Sequence, residues 1–191
     1  KSCSRVSRFC GQSNVYRFRA NCLVMYDLKG KTAIVTGSGR TKGIGEAIVM
    51  KLAEEGCNVI ITDIGKTKGE QFSEEHVGTT DEMESIVAEA KKKRGDAIAI
   101  PCDVRFEAQV KNLVQKAKEH FGRVDIMVNN AGVGYIMEPF TEFKEESWDA
   151  VLDVNLKGAF LCSKHAAIHM IEQGTGGAIV NIASQAAKSG F

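Results

Sequence analysis

"KTAIVTGSGRTKGIGEAIVMKLAEEG", residues 31–56, is the stretch from which the fold follows. It opens with a short β-branched run, KTAIVTG (31–37), suited to a buried strand. A glycine-rich turn, TGSGRTKGIG (36–45), comes next. GIGEAIVMKLAEEG then carries the period of a helix, with Ile44, Ile48 and Leu52 on one face and Gly56 as the stop. Strand, glycine turn and helix in that order bring backbone N–H groups and the positive end of a helix dipole to the end of a strand, a place suited to a pyrophosphate. The glycines taken alone also fit a tight structural turn, because Gly37, Gly39, Gly43 and Gly45 do not make a strict GxGxxG.

Strand-like and helix-like segments keep alternating beyond this unit. Further strands are expected at NVIITD (58–63), AIAIPCDV (97–104), DIMVNNAG (125–132) and GAIVNIAS (177–184), with Pro101 marking a strand end or an edge. Between them, TTDEMESIVAEAKKKRG (79–95) predicts a helix with a Thr79–Glu82 capping box and an apolar stripe of Met83, Ile86, Val87 and Ala90. Its KKKR run (91–94) suits a solvated helix end. FEAQVKNLVQKAKEHFG (106–122) places Val110, Leu113, Val114, Ala117 and Phe121 on one stripe closed by Gly122, and a long helix is expected from about Glu146 to Gln173. Nearly continuous apolar strands imply helices on both sheet faces. The expected fold is α/β, a doubly wound parallel (Rossmann-like) sheet ending after its fifth strand, formed by residues 25–191 as one incomplete domain.

Composition narrows the function classes. The chain has 191 residues, 43% hydrophobic and 26% charged, and a formal charge of +1. Residues 1–24 hold Lys1, Arg5, Arg8, Arg17 and Arg19 and no acid, which leaves 20 bases against 24 acids in the remainder. That mildly acidic body gives no electrostatic reason to expect nucleic acid. The first 24 residues are expected to be a non-native, targeting or disordered extension. None of Cys3, Cys10, Cys22, Cys57, Cys102 and Cys162 has CxxC spacing, so a zinc site or disulfide framework is not expected. No apolar run approaches the ~20 residues of a spanning helix, and no membrane partner is expected. The expected setting is cytoplasmic, or mitochondrial if residues 1–24 are a transit segment.

Asp63 sharpens the meaning of the glycine turn. It ends the second predicted strand, 18 residues beyond Gly45, where an acid can bind both ribose hydroxyls of an adenosine. The same carboxylate repels a 2′-phosphate, which favours NAD over NADP; alternatively the Asp simply opens the following turn. The polar stretch IGKTKGEQFSEEHVG (64–78) is longer than this joint requires, and is expected to be mobile or to cover the adenosine end of a bound cofactor.

From about Met25 to Phe191 the chain resembles the short-chain dehydrogenase/reductase family. The matching motifs are Thr36-Gly37…Gly43-Ile44-Gly45, Asp63, Asp103-Val104, Asn129-Asn130-Ala131-Gly132, Asn155 in DVNLKG and Ser184 in IVNIAS. The resemblance implies that Gly37, Gly43 and Gly45 shape a phosphate turn with the Ile44 backbone near the pyrophosphate. It implies further that Asp103 and Val104 face the adenine and that Asn130, Ala131 and Gly132 line the cofactor cleft. Ser38, Arg40 and Ile64 are grouped with these as candidate cofactor-binding residues. Ser184 would hydrogen-bond the substrate oxygen and Asn155 would hold a water in a proton relay, so these two are the candidate catalytic residues. The implied activity is hydride transfer between NAD(H) and a small carbonyl or alcohol substrate, by a homo-oligomer when intact.

Two departures from the family pattern stand out. Five residues, SGRTK, separate Gly37 from Gly43 where the pattern has three, so the turn should be larger and Arg40 or Lys42 could reach a phosphate. The family's acid/base is a Tyr in a YxxxK motif about a dozen residues beyond the serine, which falls past Phe191. Tyr16, Tyr26 and Tyr135 are not followed by Lys at the fourth position. The alternative expectation is therefore a catalytically inactive dinucleotide-binding fragment or interaction module. Lys188 does not make an SxxK with Ser184, and His165 and His169, at i and i+4, suit surface or interface positions better than a metal site.

Overall fold

The computed structural model describes residues 28–65, 77–134 and 139–185. The extension at 1–24, the centre of the polar connection (66–76), Tyr16, Tyr26, Tyr135 and Lys188 lie outside the described residues. Five parallel strands, β1 (Thr32–Thr36), β2 (Asn58–Thr62), β3 (Ala97–Ala99), β4 (Ile126–Asn129) and β5 (Ala178–Asn181), form one sheet in the order β3-β2-β1-β4-β5. Chain order therefore reverses at β1, with β2 on one side and β4 on the other. The reversal opens a crevice at the carboxyl ends of these strands. β3 stops earlier than expected, although Ile100 N–H still donates to Ile61 and Cys102 N–H to Asp63 on either side of Pro101, which has no N–H to give.

The strands alternate their side chains between two cores. Ile34, Ile60 and Met127 face α3 (Glu107–Phe121) and α5 (Ala159–Glu172), whereas Ala33, Val35, Val59, Ile61 and Val128 face α1 (Ile44–Glu54) and α2 (Thr80–Lys91). In α2 the Thr79–Glu82 capping box forms as expected, and Met83, Ile86, Val87 and Ala90 are buried. In α3 the stripe of Val110, Leu113, Val114 and Ala117 is buried, Phe121 is half-buried, and Gly122 closes the helix at φ 76°. The basic run past α2 is spent on the surface: Lys92 pairs with Glu89 and Lys93 with Glu54.

Three expectations need correction. The core face of α1 is Gly45, Val49 and Ala53, while Ile44 is 67% exposed and Ile48 and Leu52 are only partly buried. A small-residue face lets α1 lie close to β1, which a row of isoleucines would prevent. The long helix is not uniform: α4 (Glu145–Val151) passes through a π-helical segment (Leu152–Gly158) before α5. His165 and His169 are buried where α5 packs on α3, not set at the surface. His165 Nε2 lies 2.9 Å from Glu107 Oε1, and His169 Nε2 is buried without a hydrogen-bond partner. Burial, with Lys118 adding to it against Glu172, holds the His169 imidazole below its ordinary value. Among the described residues no group of three His, Cys, Asp or Glu could hold a metal, and no helix is long and apolar enough to cross a membrane.

A buried carboxylate fixes the start of the central strand. Asp125 Oδ2 accepts from Thr32 N–H at 2.9 Å and Arg123 Nε–H at 2.6 Å, while Oδ1 accepts from Lys31 Nζ at 3.2 Å and from the Arg123 guanidinium. Burial alone would raise this carboxyl, but Arg123, Thr32 and Lys31 outweigh it and hold the group below its ordinary value. Asp125→Ala leaves the Thr32 N–H orphaned, and is expected to lower the unfolding free energy by about 2 kcal/mol. Urea denaturation with an unchanged m-value is the check; a loss within error would show that the Asp125 network adds nothing to stability.

Candidate functional site

The site begins with the stitching of β1 to β4. Thr36 Oγ1 accepts from the N–H groups of Asn130 and Ala131, both at 3.0 Å, and Asn130 Nδ2 donates to the carbonyls of Thr36 and Gly37, both at 2.9 Å. The approach is close enough that a Cβ on Gly37, whose φ is +61°, would lie 2.7 Å from Ala131 Cα. One on Gly45 would lie 2.5 Å from the Gly37 carbonyl oxygen and 2.8 Å from Asn130 Nδ2. Glycine at 37 and 45 is therefore a steric requirement of the crevice.

Between them the lengthened turn is wired into its neighbours. Gly39 N–H donates to Asp63 Oδ2 at 3.1 Å, Thr41 N–H and Oγ1–H donate to Glu82 Oε1 at 3.2 and 2.8 Å, and Lys42 N–H, at φ 60°, donates to Glu46. The N-cap of α1 is Gly43, which offers no side-chain cap, so the first N–H groups of that helix stay open toward the crevice. Ser38, a candidate cofactor contact, is fully buried and does not line the crevice. Its Oγ–H donates to Val35 O at 2.7 Å and its oxygen accepts from Thr62 N–H, tying β1 to β2.

The remaining candidates for cofactor binding converge on one cleft of about 280 Å³, lined by Gly37, Arg40, Gly43, Ile44, Gly45, Asp63, Ile64, Asp103, Val104, Asn130, Ala131 and Gly132. Val77, Cys102, Val133 and Val154 complete it. None of the four has an assigned role, although Cys102, Val133 and Val154 adjoin residues that do.

Two acids line this space, and a third, Glu82, holds its turn from behind. The Asp63 carboxyl is raised by burial above its ordinary value, against the N–H groups of Ile64, Gly39 and Gly78 that favour its charge. Asp103 is clamped by Arg105, which donates from Nε to both carboxylate oxygens and from Nη2 to Oδ2 at 2.7 Å. Glu82 is held below its ordinary value, chiefly by the Thr41 hydroxyl.

The two candidate catalytic residues sit apart from the cleft lining. Asn155 lies on the π-helical segment and clasps the loop after β4, accepting from Val133 N–H at 2.8 Å and donating to Val133 O at 3.0 Å. Ser184 is exposed, three residues past β5, whose last link to β4 is the Ile182 N–H to Asn129 O bond.

Parallel strands, reversal at β1 and an open helix terminus over glycines make this a Rossmann-like α/β protein. The model of the short chain dehydrogenase family matches residues 31–191, and the chain belongs to the short-chain dehydrogenase/reductase family. It is 37% identical over 158 residues to glucose 1-dehydrogenase 2 of Bacillus subtilis, covering 83% of this chain and 55% of that protein. It is 37% identical over 157 residues to the 3-oxoacyl-[acyl-carrier-protein] reductase FabG of Staphylococcus aureus, covering 81% and 56%. Among solved structures, carveol dehydrogenase from Mycobacterium avium in complex with NAD superposes with a TM-score of 0.79 at 28% identity, covering 87% of this chain and 58% of that one. The chain thus spans about half the length of the curated relatives it matches.

The cleft also holds a thiol. Burial pushes Cys102 up to about 12, with Cys162 and Asp103 adding to it, so almost no thiolate exists at pH 8. Iodoacetamide at that pH should leave Cys102 unmodified in the folded protein and label it in urea, as followed by peptide mass spectrometry. Rapid native labelling would mean that the thiol is open and activated.

Proposed function

We propose that the cleft binds NAD(H), and that the intact protein is an oxidoreductase passing a hydride between that cofactor and a small carbonyl or alcohol substrate. The observation that carries this reading is the placement of Asp63 at the end of β2, in the same cleft as the open N-terminus of α1. The helix terminus offers N–H donors to a pyrophosphate, and the Asp63 carboxylate offers acceptors to the two ribose hydroxyls. A 2′-phosphate would meet that carboxylate at close range, which favours NAD over NADP although Arg40 lines the same cleft. The relative solved with NAD bound supports a nicotinamide dinucleotide.

NAD supplies the hydride chemistry when bound. The chain's own part is to orient and to poise. Gly37 and Gly45 admit the phosphates without side-chain collision, and Asn130 and Ala131 hold the wall at the end of β4. Asn155 sets the loop through Val133 and would hold a water of the proton relay. Ser184 would donate a hydrogen bond to the substrate oxygen, holding the reacting carbon against the nicotinamide end. A second copy of the chain is the proposed partner, because Trp148, Leu152, Leu156 and Phe160 leave an apolar row exposed along α4, the π-helical segment and α5.

Titration calorimetry separates these readings from their failure. NAD is expected to bind at least about tenfold more tightly than NADP, and Asp63→Ala to erase most of that ratio. A preference for NADP would overturn the assignment of Asp63. Because the raised carboxyl must be ionised to accept from both hydroxyls fully, NAD affinity should begin to fall, on acidification, at a pH above the ordinary carboxylate value of 3.8. Reduction of NAD with an alcohol panel then distinguishes an active oxidoreductase from a binding module.

A further inference from the structure

We propose that Glu82 is a positioning residue for the dinucleotide phosphates, acting through Thr41; this inference rests on the cofactor reading above. Its carboxylate is divided between two elements. Oε2 accepts from Thr79 N–H at 3.2 Å and from the Thr79 hydroxyl at 3.4 Å, completing the cap of α2. Oε1 turns to the glycine-rich turn and accepts from both the N–H and the hydroxyl of Thr41. The cap alone needs only the first oxygen.

The second oxygen serves the part of the turn that exceeds the family spacing. Arg40, Thr41 and Lys42 lie between Gly39, held by Asp63, and Gly43, the uncapped start of α1. Lys42 adopts a left-handed φ of 60° that a non-glycine residue reaches at a cost, so the segment does not hold this shape by its own preference. The turn also folds back on itself: a Cβ on Gly43 would come within 3.1 Å of the Arg40 carbonyl oxygen. Where Thr41 is anchored therefore decides where the N–H groups of Gly43, Ile44 and Gly45 point. Glu82 anchors it to α2, a helix already fixed to the sheet by Met83 and Ile86. The carboxylate itself is not part of the cleft lining, and its effect on a ligand is indirect.

Such a role has a signature that loss of a helix cap lacks. ADP carries the phosphates that the turn would bind, whereas adenosine reports only on the region of Asp63 and Asp103. Glu82→Ala is expected to weaken ADP binding to the purified protein about fivefold, through lost charged hydrogen bonds that preorganise the turn, and to leave adenosine binding unchanged. Thr41→Val should weaken ADP in the same direction and add little on top of Glu82→Ala. Glu82→Gln, which keeps an acceptor toward Thr41, should restore most of the affinity. Thr79→Ala, which removes the cap hydroxyl alone, should lower the melting temperature with little change in ADP affinity.

Unchanged ADP affinity in both Glu82→Ala and Thr41→Val would overturn the proposal, as would an equal loss in Thr79→Ala or a parallel loss of adenosine. If Glu82→Ala does not fold, Thr41→Val decides alone. Failure of the unaltered protein to bind NAD or ADP at all would instead remove the cofactor reading beneath it.

Discussion

The contact on which the crevice depends is the meeting of backbones where β1 and β4 end. Gly37 and Ala131 approach so closely that no side chain fits between them, and Asn130 donates hydrogen bonds to the hydroxyl and the carbonyl of Thr36 across the gap. That stitch holds two strands together just where the sheet's connections diverge to opposite faces. The chain leaving β1 must therefore turn within a narrow space and begin α1 almost at once, with Gly45 pressed on Gly37. A helix started under that constraint exposes its N-terminal donors to the crevice, which is what a phosphate requires.

Against that electropositive terminus stands Asp63, a half-buried acid whose ionisation costs free energy in the folded protein. The sign of its effect follows from linkage. With a folded value above the unfolded one, the folded state holds its proton more tightly, so the contribution of this group to stability falls as pH rises through that window. Three backbone N–H groups, those of Ile64, Gly39 and Gly78, offset only part of the burial cost. A charge retained at net cost in a cleft is more easily understood through what it binds than through what it stabilises. Glu82 behaves in the opposite way: burial costs it little, and its ionised form is favoured by the donors around it.

Much of the architecture was legible because it rests on local patterns. The cap at Thr79, the apolar stripes of α2 and α3 and the glycine stop at 122 are set by neighbours three or four residues away, and all formed. The mistakes share a different origin. Ile44 looked like core because it is apolar and in phase, yet distance to β1 selected the smaller stripe of Gly45, Val49 and Ala53. His165 and His169 suit surface or interface positions by sequence, but α3 lies across them and Glu107 reaches His165. Ser38 occupies a motif position whose side chain was free to face either way, and the open carbonyl of Val35 with the N–H of Thr62 drew it inward. In the cleft, Val77 comes from the polar connection, and no periodic pattern marks its side chain as part of the lining.

The π-helical segment shows how a departure from regular structure can set a side chain's direction. A regular helix through residues 145–172 would advance 100° per residue and carry Asn155 wherever that phase dictated. One wider turn resets the phase, and Asn155 meets Val133 with both its carbonyl and its amide, the two-bond clasp that a carboxamide can make to the N–H and C=O of one residue. Gly158 closes the same segment against Val104, where a Cβ would come within 2.6 Å of Cγ2, so the helix also abuts the residue after Asp103. The wider turn thus couples two walls of the cleft, the loop after β4 and the segment after β3, through a single helical irregularity. A regular helix carrying the same residues would have to give up either the clasp on Val133 or the contact with Val104, and the cleft would lose a wall.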